Sequence, residues 1–112
     1  MDFYISRIAT LTFSETTTII PINGIKTNRI RVDVADKMTS NERWLSEILV
    51  IGELPCFAGE TREVILRISS DEFRSRVEKK YTKLLVFHGP DFLGEITFTN
   101  KEVSKEMLNI FA

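Results

Sequence analysis

The residues able to do chemistry in this chain are few, and each has a plainer role close at hand. His88 is the single histidine, and it opens the run His88-Gly89-Pro90-Asp91. A catalytic histidine needs a carboxylate, serine or cysteine within hydrogen-bond reach, and Asp91 is the nearest such group in sequence. A hairpin tip would leave that pair in water, without a pocket to tune it. Proline fixes one backbone dihedral and glycine frees another, which is what a tight turn requires. His88 is therefore expected to be a turn residue. Cys56 is the single cysteine, so no intramolecular disulfide or cysteine cage is possible. It stands between Pro55 and Phe57 with Glu53 and Glu60 close by. Thiolates need electropositive surroundings, so Cys56 reads as a small apolar filler. With one histidine and one cysteine, only an all-carboxylate metal site remains. The acids are scattered without a calcium-loop pattern, and neither a metal nor a cofactor is expected.

A binding role has more material. Arg74, Arg76, Lys79, Lys80 and Lys83 face only Glu78 within their run, and Tyr81 lies among them with a ring able to stack on a base. Arg29 and Arg31 alternate along a strand-like segment and would extend such a patch. The whole chain argues the other way. Its 15 basic and 16 acidic residues leave a formal charge of −1, whereas phosphate binding usually makes the whole domain basic.

The elements that must position these residues are mostly strands. FYISRIATLTF (3–13) puts Phe3, Ile5, Ala9, Leu11 and Phe13 on one face, with Ile8 breaking the polarity of the other. Alternation with aromatic and β-branched residues means a strand. Pro21 demotes TIIPI to an edge or loop element, and Asn23-Gly24 signals a turn. NRIRVDVAD (28–36) turns Ile30, Val32 and Val34 inward. After the polar loop 37–43, WLSEILVI (44–51) sets Trp44, Ile48 and Val50 against Leu45, Leu49 and Ile51. GELPCFAGE (52–60) is a loop, and TREVILRIS (61–69) again alternates, with Val64, Leu66 and Ile68 inward. Ser69 and Glu72 have capping-box spacing, and Phe73 and Val77 stand four apart, so one or two helical turns are expected over 69–80. Residues 81–99 read as two strands around Gly89-Pro90-Asp91. A second capping box at Thr99 and Glu102 precedes an apolar stripe of Val103, Met107, Ile110 and Phe111. That stripe predicts a C-terminal amphipathic helix over 100–111, packed over an open end or edge of the sheet.

The length, 112 residues, suits one domain, and 43% hydrophobic with 28% charged residues is the composition of a folded soluble chain. Met-Asp at the start lacks the basic n-region of a signal peptide, and no run approaches a membrane span. A cytoplasmic location is the expectation. Six or seven short strands joined by brief turns predict an all-β fold, a small closed antiparallel barrel with a short C-terminal helix; closure removes edges that would otherwise pair with other chains.

From Asn28 to Phe98 the chain resembles the β-barrel domains of elongation factor Tu, particularly the C-terminal barrel. The matching residues are Ala58-Gly59-Glu60 before TREVILRIS and Phe92-Leu93-Gly94-Glu95-Ile96 in the last strand, with SSDEFRSRVEKK in the place of the family's spacer. Ala58 stands where the family has proline, and Ile96 where it has a second glycine. No Gly-x-x-x-x-Gly-Lys-Ser/Thr loop is present, so GTP chemistry does not carry over. The resemblance implies a barrel that acts as a binding platform. Two functions follow as expectations. The first is a non-enzymatic protein that engages another protein, of which an immunity protein blocking a toxin is one concrete version. The second is an RNA- or tRNA-associated barrel using Arg29, Arg31, Arg74, Arg76, Lys79, Lys80 and Tyr81. A hydrolase built on His88 ranks last.

Overall fold

Alternating apolar residues drive the chain into six strands: β1 (Tyr4–Phe13), β2 (Arg29–Ala35), β3 (Trp44–Val50), β4 (Thr61–Ser69), β5 (Lys83–His88) and β6 (Asp91–Phe98). The computed structural model describes residues 4–15, 19–36, 38, 43–69, 83–99, 101, 103, 104 and 106. All neighbouring strands run antiparallel in a closed barrel of order β1-β4-β3-β2-β5-β6, with β6 returning to β1. The expected closed barrel is thus the observed one, with six strands. Within the TIIPI segment the described residues 19–22 form no strand, and Ile25 contributes only an isolated bridge to Cys56.

Period-two patterning places the interior of β1, β2 and β4 as expected, and the closed sheet settles which faces of β3, β5 and β6 turn inward. Leu11 and Phe13 of β1, Val32 and Val34 of β2, Ile48 and Val50 of β3, Val64, Leu66 and Ile68 of β4, and Leu84, Val86 and Ile96 of the β5–β6 hairpin form one buried cluster. At about 25 cal/mol per Å² of apolar surface removed from water, this cluster is the main source of stability. Gly94, also inward, sits where β6 meets β1 opposite Phe13. A Cβ there would lie 2.3 Å from the Thr12 carbonyl oxygen. The two backbones are therefore as close as they are because β6 has no side chain at this point. Just before it, the ladder shifts register, with Val86 opposite Gly94 and Phe87 opposite Phe92, which leaves Leu93 as the extra residue of a β-bulge.

The irregular polarity of β1 has a structural reason. Ile8 points outward and joins Leu49 and Ile65 in a second small buried cluster on the outer wall, with Ile51 and Val103 against it. The chain after β6 folds back across this wall. Thr99 donates from both its N–H (3.2 Å) and its hydroxyl (3.0 Å) to the Ile8 carbonyl. Lys101 pairs with Glu63 at 2.9 Å. Val103 thus packs on the outer face of β1, β4 and β3 rather than over a barrel end. Of the helix expected over 100–111, only 101, 103, 104 and 106 are described, and Glu106 is helical. The helical turns expected over 69–80 lie outside the described residues beyond Ser69, which ends β4. Replacing Val103 with Asp sets a charge against Ile8, Leu49 and Ile65. The expected result is a loss of about 1–2 kcal/mol in urea unfolding, with increased binding of an apolar dye to the native protein.

Candidate functional site

The strand order puts β1 and β2 on opposite sides of the barrel, so the connection 14–28 must cross one open end. Ile20 of this crossing segment is buried, and Ile19 and Ile25 pack on the barrel core. At the same end lie the β3–β4 loop, 51–60, and the β5–β6 hairpin. The crossing segment turns at Pro21–Gly24, closed by the Gly24 N–H donating to the Pro21 carbonyl at 2.8 Å. Asn23 keeps a negative φ, and Gly24 alone takes the positive one, +83°. The turn is therefore not an Asn-Gly hairpin. It throws Ile22 to its tip, 94% exposed. Gly24 is pressed against the β3–β4 loop, where a Cβ would stand 2.7 Å from the Pro55 Cβ. Ile25 and Cys56 exchange backbone hydrogen bonds of 2.7 and 2.9 Å beside it.

Arg62, at an inward-parity position near the start of β4, organises the β3–β4 loop. Its guanidinium donates to the Ile51 carbonyl (3.3 Å), the Glu60 carboxylate (3.0 Å) and the Cys56 sulfur (3.3 Å), and also to the Glu53 carbonyl. Cys56 is fully buried within the core cluster. Burial pushes its thiol pKa up, and the Arg62 charge opposes this without reversing it. The thiol is accordingly protonated and enclosed at neutral pH; burial is the cause, since Arg62 supplies the positive charge that the sequence neighbours of Cys56 lack. In the folded protein it should resist iodoacetamide at pH 7.5 and react promptly in urea, as mass spectrometry would read. Raising the pH should speed native-state labelling only above the range in which an exposed cysteine responds, because the folded thiolate is the disfavoured form.

The β5–β6 hairpin is a two-residue turn. Gly89 (φ +60°) and Pro90 form it, and His88 faces Asp91 as the flanking strand pair. A positive φ followed by the negative φ of proline is the type II′ pattern that matches strand twist. Asp91 therefore opens β6 instead of belonging to the turn. No side-chain hydrogen bond or ion pair joins His88 to Asp91; they meet only as backbone partners of the ladder. The hairpin is held from outside by Arg43, which donates to the Gly89 carbonyl at 2.9 Å and stacks 3.9 Å above the Phe87 ring. Phe87 in turn meets Phe92 edge to face at 5.7 Å.

Between the crossing segment, the start of β2 and this hairpin lies an open cavity of about 760 Å³. Ile19, Pro21, Ile25, Ile30 and Leu93 line its apolar part, and Asn23, Lys26, Thr27 and His88 its polar part. His88 is thus exposed beside a cleft, not isolated at a bare hairpin tip. Ile22, Leu54 and Phe57 are exposed apolar side chains on the two loops beside the cleft.

No family model, curated protein or solved structure matches the chain.

Arg29 and Arg31 are exposed on the outer face of β2. Arg29 pairs with Glu47 at 2.9 Å, and Arg31 stands directly opposite Glu47 in the ladder. Arg74, Arg76, Lys79, Lys80 and Tyr81 lie outside the described residues. Among the described residues no group of three or more His, Cys, Asp or Glu is placed to hold a metal ion, and no helix is long and apolar enough to cross a membrane. Arg62 and Arg43 escaped sequence reasoning. Arg62 had a signal, a charged residue at the parity of Val64, Leu66 and Ile68. Arg43 had none, because its targets lie more than 40 positions away in sequence.

Proposed function

We propose that the protein is a non-enzymatic binding module, and that it engages another protein with the barrel end built from the crossing segment, the β3–β4 loop and the β5–β6 hairpin. One observation carries this reading: of the five large apolar side chains exposed among the described residues, three, Ile22, Leu54 and Phe57, are gathered at the end that holds the apolar cleft, while Leu45 lies on the outer face of β3 and Met38 in the β2–β3 connection. Exposed apolar groups beside a concave apolar surface, rimmed by polar residues, are the ordinary form of a protein-recognition site. A toxin-neutralising immunity protein is the concrete version that fits a small module of this kind. An RNA-associated barrel is the competing reading, taken from the likeness to translation-factor barrels. The pairing of Arg29 with Glu47 favours the protein reading, since it places an acid within the basic row of β2.

The test begins with affinity capture from the protein's own cells, using the native chain and an Ile22→Asp, Phe57→Asp variant. Both positions are exposed, so the fold should stand. The captured protein is then purified and titrated against each form. A drop in affinity of roughly thirtyfold or more in the variant is expected for residues at the centre of an interface. Equal affinity for both forms would show that this end is not the binding surface. Recovery of RNA with a log–log salt slope of about −0.7 per phosphate contact would establish the competing reading.

A further inference from the structure

The cleft carries a charge as well as a shape. Of the residues that line it, Lys26 alone is permanently charged, and neither Asp nor Glu is among them. Lys26 has no ion-pair partner among the described residues. Two acids at this end hold other partners, Glu60 on Arg62 and Glu47 on Arg29. Glu15, Glu53 and Asp91 also belong to the elements of this end, and none of them lines the cleft. Two further groups with hydrogen to donate, the Asn23 amide and the His88 imidazole, belong to the lining of the same cleft.

An unneutralised ammonium at the edge of an apolar cleft discriminates among ligands. It repels a cation and is indifferent to a neutral apolar group. It attracts an anion, most strongly when the anion's apolar body fills the cleft and excludes water around the pair. We infer that the cleft takes a partner segment in which a bulky apolar side chain stands next to a carboxylate. The apolar group lies on Ile19, Ile25, Ile30 and Leu93, and the carboxylate of an Asp, a Glu or a chain terminus meets Lys26. The inference rests on the protein-binding reading above and names the chemistry of the partner.

The experiment uses random dodecapeptides displayed on phage, selected on the full chain and in parallel on its Lys26→Glu variant. Lys26 is exposed, so the substitution leaves the fold intact. The best peptides are then measured by fluorescence polarisation against the native chain, Lys26→Glu and His88→Trp, the last placing bulk at the cleft. The expected consensus on the native chain is a large apolar residue beside Asp or Glu. Its affinity should fall at least tenfold with Lys26→Glu, and selection on that variant should return Lys or Arg at the acidic position. Apolar peptides without an acid, weakened by His88→Trp but not by Lys26→Glu, would overturn the carboxylate inference and leave the protein-binding reading standing. Peptides insensitive to both variants, or no enriched peptide at all, would overturn it too. The capture experiment with Ile22→Asp, Phe57→Asp then decides the protein-binding reading by itself.

Discussion

Replacing Gly94 with alanine is expected to destabilise the barrel by about 3–5 kcal/mol, at the upper end of what single substitutions do. The added Cβ would sit 2.3 Å from the Thr12 carbonyl oxygen and 3.1 Å from both the Thr12 carbonyl carbon and Leu11 Cδ1. Two of these three contacts are backbone atoms, so no rotamer change relieves them; β1 and β6 must separate. Their ladder, Ala9–Phe13 against Gly94–Phe98, is the seam that closes the barrel. Opening it would weaken backbone hydrogen bonds and admit water to Leu11 and Leu93, both buried in the core. Against a typical total of about 5–15 kcal/mol, the variant should melt roughly 15 °C lower or more by far-UV circular dichroism. Gly89→Ala is the control. Nothing lies within 4 Å of a Cβ at Gly89, so only its positive φ of +60° is strained, at about 1–3 kcal/mol. Equal melting temperatures for the two variants would show that close approach at the seam does not matter.

Arg62→Met should cost about 2–3 kcal/mol, and its effects should spread beyond stability. Methionine keeps an apolar stem of similar reach but removes the guanidinium that donates to Ile51, Glu53, Cys56 and Glu60. The Arg62 side chain is only 14% exposed, so the carbonyls it leaves have little water to replace it, and each unsatisfied group carries a desolvation penalty. Urea unfolding measures the stability loss. The local consequence is read at Cys56, whose labelling by iodoacetamide in the native state should accelerate at least tenfold as the loop opens more often. Because the same loop carries Leu54 and Phe57, partner affinity should weaken as well. Arg62→Lys should recover only part of this, since one ammonium cannot span carbonyls and a carboxylate set on different sides of a planar fork. Unchanged Cys56 labelling in Arg62→Met would mean that the loop is held by its bridge to Ile25 alone.

How far the site was legible follows from which contacts are local. Gly94 stood out in the sequence only as a match to a family position; the reason for it, a carbonyl on a strand some 80 residues earlier, is a property of the closed seam. Gly89 and Pro90 rightly marked a turn beside His88, but His88 itself ends β5 as a strand residue rather than belonging to the turn. The expectation that it would lack a pocket failed, because the cleft beside it is made by residues 19–30, which the topology brings across the barrel end. Ile8 was visible as a break in the pattern of β1. Its cause, the return of the chain at Thr99 and Val103, lay 91 positions away.

By itself, then, the sequence determined the strands and the inward faces of β1, β2 and β4, because side-chain alternation is a property of consecutive residues and burying one face of a strand demands it; β3, apolar on both sides, took its inward face from the closed sheet. It also determined the turn at Gly89-Pro90, whose dihedrals belong to those two residues. Only the tertiary structure decided what the surface of one barrel end became. Crossing from β1 to the opposite side at β2 carried Ile19, Ile22, Ile25 and Lys26 up to the β3–β4 loop and the β5–β6 hairpin. A cleft is a gap between elements distant in sequence, and its shape and charge exist only once the closed sheet has set the distances between them.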